Sequence, residues 1–272
     1  MVNKISSSEF AKEIRKCSLE MVYNAKASHI GGALSMADII AVLYNDVLTI
    51  YPESPDNEDR DRFLLSKGHA CVSLYAALAL KGFFPVEELK TYAQDGSRLL
   101  SHSSHYVPGV EISAGSLGHA LSVSVGVSIA AKRKKADWKT YCLISDGELD
   151  EGSNWEAILL APQLKLDNLI LIVDYNKIQS LGSVKDVIDL HPLADKFNAF
   201  RWETSEVDGH DHDALKNVFN KSITANGKPK VIIAHTVKGK GVDFMENKLL
   251  WHYKSPDKEQ FEKAIDQINN QK

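Results

Sequence analysis

The sequence predicts an α/β protein with a doubly wound, mostly parallel β-sheet flanked by helices. Short, continuous, β-rich apolar runs occupy residues 141–145, 168–173 and 230–237, and a more polar fourth run covers residues 201–207. Continuous apolar runs, rather than alternating ones, are typical of parallel strands that are covered on both faces. The segments between the runs are long enough for crossover helices, and this alternation favours a doubly wound arrangement.

The first part of the chain predicts two helices followed by a strand. A helix from Ser8 is indicated by apolar residues at spacings of four, three and four, namely Phe10, Ile14, Cys17 and Met21. We expect this helix to end near residues 28–32 and a second helix to cover residues 34–48. A connector rich in Pro and Asp then leads to a short strand at residues 63–66.

A further helix is predicted at residues 118–132, which are rich in Ala, Ser and Gly. Because small side chains let another backbone come close, we expect this helix to pack tightly against the sheet or against a second subunit. The tail from about Pro256 predicts a terminal helix. No internal repeat, low-complexity tract or domain boundary is visible, so we expect residues 1–272 to form a single domain.

The composition is that of an ordinary globular protein, with 44% hydrophobic and 25% charged residues and a net charge of −4. The one basic run, at residues 132–135, is interpreted as a solvated helix C-terminus rather than a site for nucleic acid. Three cysteines without C-x-x-C spacing indicate a reducing compartment. The N-terminal residues resemble no signal peptide, and no window is apolar enough to span a membrane. We therefore expect a cytoplasmic protein with neither a membrane nor a nucleic-acid partner.

Two polar residues follow two of the predicted strands and suggest a ligand site. Asp146 stands at the carboxyl end of the strand at residues 141–145, and Asn176 lies just past the end of the next one. In doubly wound sheets ligands gather beyond these strand ends, so both oxygens are expected to face one crevice. Carboxylate, amide and backbone carbonyl oxygens suit Mg²⁺ or Ca²⁺. Gly147 and the following helix start suit an anion such as a diphosphate.

Two other interpretations apply to the same segment. An EF-hand loop that begins at Asp146 is unfavourable, because its sixth position is Glu151 rather than Gly and its twelfth is Ala157 rather than Glu. Alternatively, Asp146 only caps a helix whose acidic first turn is solvated. The residues alone leave this second alternative open.

The motif SDG at residues 145–147, with NKI at residues 176–178, resembles the signature of thiamine-diphosphate enzymes, which usually opens with Gly where this chain has Ser145. Four more segments resemble transketolase segments and occur in the same order as in that family. They are SHIGGALSMADI at 28–39, LLSKGHA at 64–70, VPGVEISAGSLGHALS at 107–122 and VKGKGVDFMENKLLWHYKSP at 237–256. On these five blocks the chain resembles the N-terminal, diphosphate-binding half of a two-component transketolase.

The resemblance implies a set of cofactor and metal residues. The metal, Mg²⁺ or Ca²⁺, would be held by Asp146, by Asn176 and by the carbonyl of Ile178. Thiamine diphosphate would be contacted by His69, Gly115, Ser116, Leu117, Asp146, Gly147, Glu148, Asn176 and His252.

The resemblance also implies a set of active-site histidines, namely His29, His69, His102 and His252. His29 would face the reacting end of the substrate, where an imidazole with a pKa near neutrality can transfer protons. His105 competes with His102 for the fourth place, because the segment around them is one residue shorter than in the family. His119 stands where the family commonly has Gln, and no role is assigned to it.

The resemblance further implies a partner. Glu151 and Glu156 match acids that lie at the dimer interface of the family and couple two active sites. The glutamate that activates the cofactor and the residues that bind sugar phosphate belong to pyrimidine-binding and C-terminal domains that this sequence lacks. We expect these domains on a partner subunit, most simply in an α₂β₂ assembly.

The function implied is that of a transferase, which moves a two-carbon ketol unit from a ketose to an aldose and works on sugars or sugar phosphates. One alternative is a related thiamine-diphosphate enzyme. It could be an oxoacid-decarboxylating subunit, but such subunits lack the histidine set. It could also be a deoxyxylulose-phosphate-synthase-like enzyme, but such an enzyme normally has all its domains on one chain. Another alternative is a non-catalytic paralogue that acts as a regulatory subunit. The sequence leaves open the sugars, and whether the role is housekeeping or specialised.

Overall fold

The fold was analysed in a computed structural model, which describes residues 5–270. Its main sheet has five strands in the order β1-β2-β3-β7-β6, and every neighbouring pair is parallel. A small antiparallel pair, β4 with β5, lies outside this sheet. The strands are β1 (Arg62–Leu65), β2 (Thr140–Ser145), β3 (Leu169–Tyr175), β4 (Ile178–Gln179), β5 (Gly182–Ser183), β6 (Glu203–Asp208) and β7 (Lys230–His235).

Helices cover both faces of the sheet. Within the described residues the α-helices are α1 (Ser7–Ala25), α2 (Ile30–Ser35), α3 (Ala37–Val42), α4 (Cys71–Leu80), α5 (Ala120–Lys134), α6 (Gly152–Gln163), α7 (Val184–Val187), α8 (Leu193–Ala199), α9 (His212–Ser222) and α10 (Lys258–Asn269). None of these helices is both long and apolar enough to cross a membrane.

Successive residues of each strand enter two separate hydrophobic cores. Tyr141 and Leu143 of β2 pack into the core formed with α1, α3, α4, α9 and α10, whereas Cys142 and Ile144 pack into the core formed with α5, α6 and α8. Side chains of a strand alternate between faces, so a strand buried on both sides must be apolar at every position. This confirms the predicted fold class and explains the continuous apolar runs.

Two predicted helices differ in detail from the structure. Residues 34–48 do not form one helix; a break at Met36 separates α2 from α3. The hydroxyl of Ser35 lies 3.0 Å from the Gly32 carbonyl and 2.5 Å from Asp174, and such local side-chain bonding disturbs helices. The predicted helix at 118–132 corresponds to α5, which buries one face against the sheet and leaves Val123 on its other face 41% exposed.

The parallel register brings the ends of the strands to one edge. Ser145 at the end of β2 pairs with Asp174 in β3, and Tyr175 pairs with His235 at the end of β7. The loops that follow β1, β2, β3 and β7 therefore meet at the carboxyl edge, where such sheets place their ligands.

Candidate active site

A cavity of about 240 Å³ lies at the carboxyl edge of the sheet. It brings together most of the residues that the sequence singles out, namely His29, His69, His102, Gly115, Leu117, Asp146, Gly147, Asn176, Ile178 and His252. Ser116, Glu148, Glu151 and Glu156 are not among its lining residues. Glu148 is instead fully buried behind the cavity wall, and Glu151 and Glu156 are exposed at the start of α6.

Four histidine rings from four loops meet in this cavity. The ring centroid of His29 lies 5.0 Å from those of His69 and His252 and 6.2 Å from that of His102. His105 lies outside the cavity, with its ring against Tyr106 and its Nδ1 2.8 Å from a serine hydroxyl. The structure therefore places His102, and not His105, beside the other three; we call these four the pocket histidines.

Three of the pocket histidines, His29, His69 and His252, are held in the neutral form. Burial, followed by the proximity of His102 and Lys238, lowers the pKa of His29 to about 4. Burial and Lys238 lower the pKa of His252 to about 3, and burial with Lys67 holds the pKa of His69 well below its usual value. A neutral imidazole carries both a donor and an acceptor, so these rings can orient a ligand and can accept a proton.

Backbone geometry holds two of these histidines in place. His29 has a φ of 71°, in the left-handed region where few residues other than glycine lie, and its amide donates to the His252 carbonyl at 3.0 Å. Gly68 packs so closely against the neighbouring loop that a Cβ there would lie 1.9 Å from the carbonyl oxygen of Ala114. Only glycine allows this contact, which holds the His69 turn against the segment that leads to Gly115.

The three predicted metal ligands line the same cavity. Asp146 is 1% exposed and accepts from the amides of Gly147 and Lys177. Burial and the charge of Asp174 raise the pKa of Asp146. The Asn176 side-chain oxygen accepts from the Ile178 amide at 3.2 Å.

This donor set fits a hard divalent cation. Asp146, Asn176 and the carbonyl of Ile178 offer oxygen atoms only, and each carboxylate, amide or carbonyl oxygen has two lone pairs. Each of them makes a hydrogen bond and retains a lone pair for a cation. The residues present thus suit Mg²⁺ or Ca²⁺ and offer no soft ligand.

Asp174 and Lys67 form a buried ion pair that sequence analysis did not single out. Asp174 is fully buried and accepts from Lys67, Ser35 and Thr236, and also from the side-chain amide of Asn176 at 3.2 Å. Burial alone would raise the pKa of Asp174, but Lys67 and these hydrogen bonds hold it below its usual value. Because Asp174 accepts from the side-chain nitrogen of Asn176, the side-chain oxygen of Asn176 points away from Asp174.

Lys238 is a second cation that sequence analysis passed over, although it lies in one of the transketolase-like segments. Its ammonium group is 2.9 Å from the Ile178 carbonyl oxygen and 3.1 Å from Nδ1 of His252. Burial, followed by repulsion from Lys67, lowers the pKa of Lys238. Two buried cations next to a glycine-containing loop make this wall of the cavity suitable for an anion.

Comparison with known proteins identifies the family. Residues 6–266 match the family model "Transketolase, thiamine diphosphate binding domain". An apulose-4-phosphate transketolase subunit of Phocaeicola vulgatus is 43% identical over 94% of this chain and 91% of its own length. A 6-deoxy-6-sulfo-D-fructose transketolase subunit of a Clostridium species is 39% identical over 96% of this chain and 95% of its own length.

Among solved structures, the transketolase of Campylobacter jejuni superposes with a TM-score of 0.92 at 34% identity. The alignment covers 97% of this chain and 42% of that one, so the chain spans about two fifths of this relative. The fold, the order of the five motifs and the relatives agree: the chain belongs to the transketolase family of transferases, and the part it shares with that family is the thiamine diphosphate binding domain.

Proposed function

We propose that this chain, as a single diphosphate-binding domain over residues 1–272, is one component of a two-component transketolase. It would transfer a two-carbon ketol unit from a ketose to an aldose only together with a second chain that carries pyrimidine-binding and C-terminal domains. The observation that supports this most strongly is the meeting of four histidines with an oxygen-only donor set in one cavity. Two relatives of matching length are named as subunits, which supports a second chain.

The cavity wall with buried charges would hold the cofactor. Asp146, Asn176 and the Ile178 carbonyl would bind Mg²⁺, or Ca²⁺, and the metal would hold the diphosphate. Gly147 would lie against the diphosphate, and Lys238 would offset its charge from the other side. When bound, thiamine diphosphate supplies the carbon nucleophile that takes up the ketol unit.

The pocket histidines would handle the protons of the sugar hydroxyl groups. Nδ1 of His29 lies 2.8 Å from the hydroxyl of Ser28, which leaves Nε2 for the substrate. Because the pKa of His29 is lowered to about 4, this ring is unprotonated at neutral pH and can accept a hydrogen bond from a sugar hydroxyl. It is a weaker base than the pKa near neutrality expected from the sequence would make it. His102, on the far side of His29, would orient the same sugar from a second loop.

The assembly we propose is α₂β₂ in the cytoplasm. Glu151 and Glu156 are exposed at the start of α6, as expected for acids that lie between two copies and couple their active sites. A cytoplasmic location is supported by three free cysteines, two of them buried.

Calorimetry tests the cofactor part of this proposal. Thiamine diphosphate with Mg²⁺ is titrated into the chain alone and into the chain mixed with a candidate partner encoded beside it, and Asp146→Ala is the control. We expect metal-dependent binding that is tight only with the partner and absent in Asp146→Ala. If the wild-type mixture does not bind, the proposal is wrong and Asp146 only caps the helical turn that follows it.

A sugar screen tests the reaction. The reconstituted enzyme is supplied with ribose 5-phosphate as acceptor and with several ketose donors. These include apulose 4-phosphate and 6-deoxy-6-sulfo-D-fructose, because the names of the two relatives contain these sugars. Formation of a product that is longer than the acceptor by two carbons supports ketol transfer. Binding of cofactor without any transfer or decarboxylation would instead indicate a non-catalytic component.

A further inference from the structure

We infer that Glu148 is a positioning residue, which joins three of the chain segments that form the cofactor cavity without touching the ligand itself. This inference rests on the proposed function, since it concerns the same cavity. Sequence resemblance places Glu148 among the cofactor contacts. In the structure its side chain is 0% exposed and lies behind the cavity wall.

One carboxylate accepts hydrogen bonds from three separate loops. Oε1 of Glu148 accepts from the hydroxyl of Ser66, which follows β1, and from the amide of Gly118 at 2.8 Å. Oε2 accepts from the amide of Ser145, at the end of β2, at 3.3 Å. Ser66 and Gly118 are 82 and 30 residues away from Glu148, so these bonds connect distant parts of the chain.

Each of the three donors lies next to a predicted site residue. Ser66 is three residues before His69, Gly118 directly follows Leu117, and Ser145 directly precedes Asp146. A shift of the Glu148 side chain would therefore move a histidine, the loop beside the cofactor rings and a metal ligand together. No other side chain within residues 5–270 bonds to all three of these loops.

Further contacts prevent Glu148 from moving. The hydroxyl of Ser153 donates to the Gly118 carbonyl at 2.7 Å, and the side-chain amide of Asn154 donates to the Glu148 carbonyl at 2.6 Å. Gly118 has a φ of 83°, and a Cβ there would lie 2.7 Å from the side chain of Glu151. The loop before α5 is thus fixed at both its amide and its carbonyl to the segment that contains Glu148.

The partners also favour a carboxylate over a neutral amide at this position. All three groups donate, and none accepts, so both oxygens of Glu148 must be acceptors. In Glu148→Gln the amide keeps one oxygen for Ser66 and Gly118, but its NH₂ group then faces the Ser145 amide. This variant preserves shape and volume, whereas Glu148→Ala removes every bond and leaves three buried donors unpaired.

The test measures cofactor affinity in the chain reconstituted with its partner. The dissociation constant of thiamine diphosphate at saturating Mg²⁺ is determined by calorimetry for wild type, Glu148→Gln, Glu148→Ala and Ser66→Ala. We expect Glu148→Gln to weaken binding about 10- to 100-fold, as is typical when the residues that orient ligating groups are changed. Ser66→Ala should have a smaller effect. The double variant Glu148→Ala/Ser66→Ala should lose less than the sum of its two single changes, because each of them removes the bond between Ser66 and Glu148.

A matched control separates positioning from general loss of stability. Asp38→Asn changes another buried carboxylate, one that lines a second cavity and not the cofactor cavity, and we expect it to lower thermal stability with unchanged cofactor affinity. Hydrogen exchange at residues 115–118 should become faster in Glu148→Gln and stay unchanged in Asp38→Asn. At saturating cofactor, the kcat of Glu148→Gln should lie closer to the wild-type value than its affinity for the cofactor does.

Unchanged affinity in Glu148→Gln and in Ser66→Ala, with a wild type that binds, would overturn the inference and leave the proposed function intact. The same holds if Asp38→Asn weakens binding as much as Glu148→Gln does. If the Glu148 variants fail to fold, Ser66→Ala decides, because it removes one of the three bonds and leaves the carboxylate in place. A wild type that does not bind the cofactor would overturn both the inference and the proposed function.

Discussion

Two groups of histidines in this molecule are similarly enclosed but differ in their hydrogen bonds. The pocket histidines surround the cofactor cavity. His210 and His212 line a second cavity of about 490 Å³, but there they surround the buried carboxylate of Asp38, which also pairs with Arg15. We call His210, His212, Asp38 and Arg15 the Asp38 cluster. Nδ1 of His210 lies 2.7 Å from Asp38 and its Nε2 accepts from the Val237 amide at 2.9 Å. Nε2 of His212 lies 3.1 Å from Asp38 and its Nδ1 2.9 Å from the hydroxyl of Ser7.

Both nitrogens of each ring in the Asp38 cluster are therefore used within the protein. In the pocket, His29 bonds to Ser28 and His252 to Lys238 through one nitrogen each, and the rings of His69 and His102 bond to no group within residues 5–270. A ring with both nitrogens satisfied holds structure together, and a ring with an open nitrogen can bind a ligand. Open hydrogen-bonding capacity, rather than burial, distinguishes the two groups.

The largest expected effect comes from removing a pocket imidazole. His29→Asn keeps a residue that tolerates the left-handed backbone, so the loop should retain its shape. Loss of a group that transfers protons typically costs on the order of 10²- to 10⁴-fold in rate, and we expect kcat/KM of the reconstituted enzyme to fall by this amount with little change in melting temperature. His210→Asn is the matched control and should reduce kcat/KM much less. Equal losses in the two variants would contradict the distinction.

Sequence patterns predict the fold and much of the cavity because they reflect local geometry. Continuous apolar runs specify parallel strands, and residues that directly follow neighbouring parallel strands, such as Asp146 and Asn176, must share an edge. Lys67 and Asp174 were missed because their pairing joins positions 107 residues apart, and a single charge after a strand reads as a solvated loop. Glu148 was placed near the cofactor by its neighbours, but the turn Gly147–Asp150 directs it inward.

The second prediction concerns the ion pair at the centre of the Asp38 cluster. Asp38→Asn removes the charge that compensates Arg15, which is 3% exposed and 2.9 Å from the Asp38 carboxylate. Breaking a buried pair from one side typically costs about 3 to 5 kcal/mol, and we expect the free energy of unfolding in urea to decrease by this amount. Asp208→Asn changes an exposed acid that accepts from the His210 amide at 2.9 Å, a bond that the Asn oxygen can keep, and should have little effect. A loss below about 1 kcal/mol, the value for a surface pair, would mean that the Asp38 cluster does not hold the fold together.

Acid should affect the two groups over different pH ranges. In the folded chain the pKa of His29 is lowered to about 4, whereas an unfolded histidine titrates near pH 6.5. The unfolded state therefore binds more protons between these values, and stability that is present above about pH 6.5 is lost as the pH falls towards 4. Arg15 and the histidine hydrogen bonds hold the pKa of Asp38 well below its usual value against the effect of burial, so its contribution persists throughout this range.

Urea unfolding at pH 7 and pH 5 measures this difference. We expect the wild type to lose more stability between the two values than His29→Asn does, because the variant lacks one proton-binding group of the unfolded state. Asp38→Asn should be less stable than the wild type at both values. A wild-type profile that is flat from pH 7 to pH 5 would mean that His29, His69 and His252 are not held neutral.

The smallest expected effect comes from the outermost bond of the Asp38 cluster. Ser7→Ala removes the hydroxyl 2.9 Å from Nδ1 of His212 and leaves that nitrogen without its partner. His212 is only partly buried, so water can replace the lost bond, and the cost should be about 0.5 to 1.5 kcal/mol, as for a single hydrogen bond. Ser28→Ala, by contrast, removes the equivalent hydroxyl from Nδ1 of His29 and should lower kcat/KM without lowering the free energy of unfolding. Removing a hydroxyl beside a histidine should thus lower stability in the Asp38 cluster and kcat/KM among the pocket histidines. A loss of activity in Ser7→Ala would instead show that the two groups are coupled.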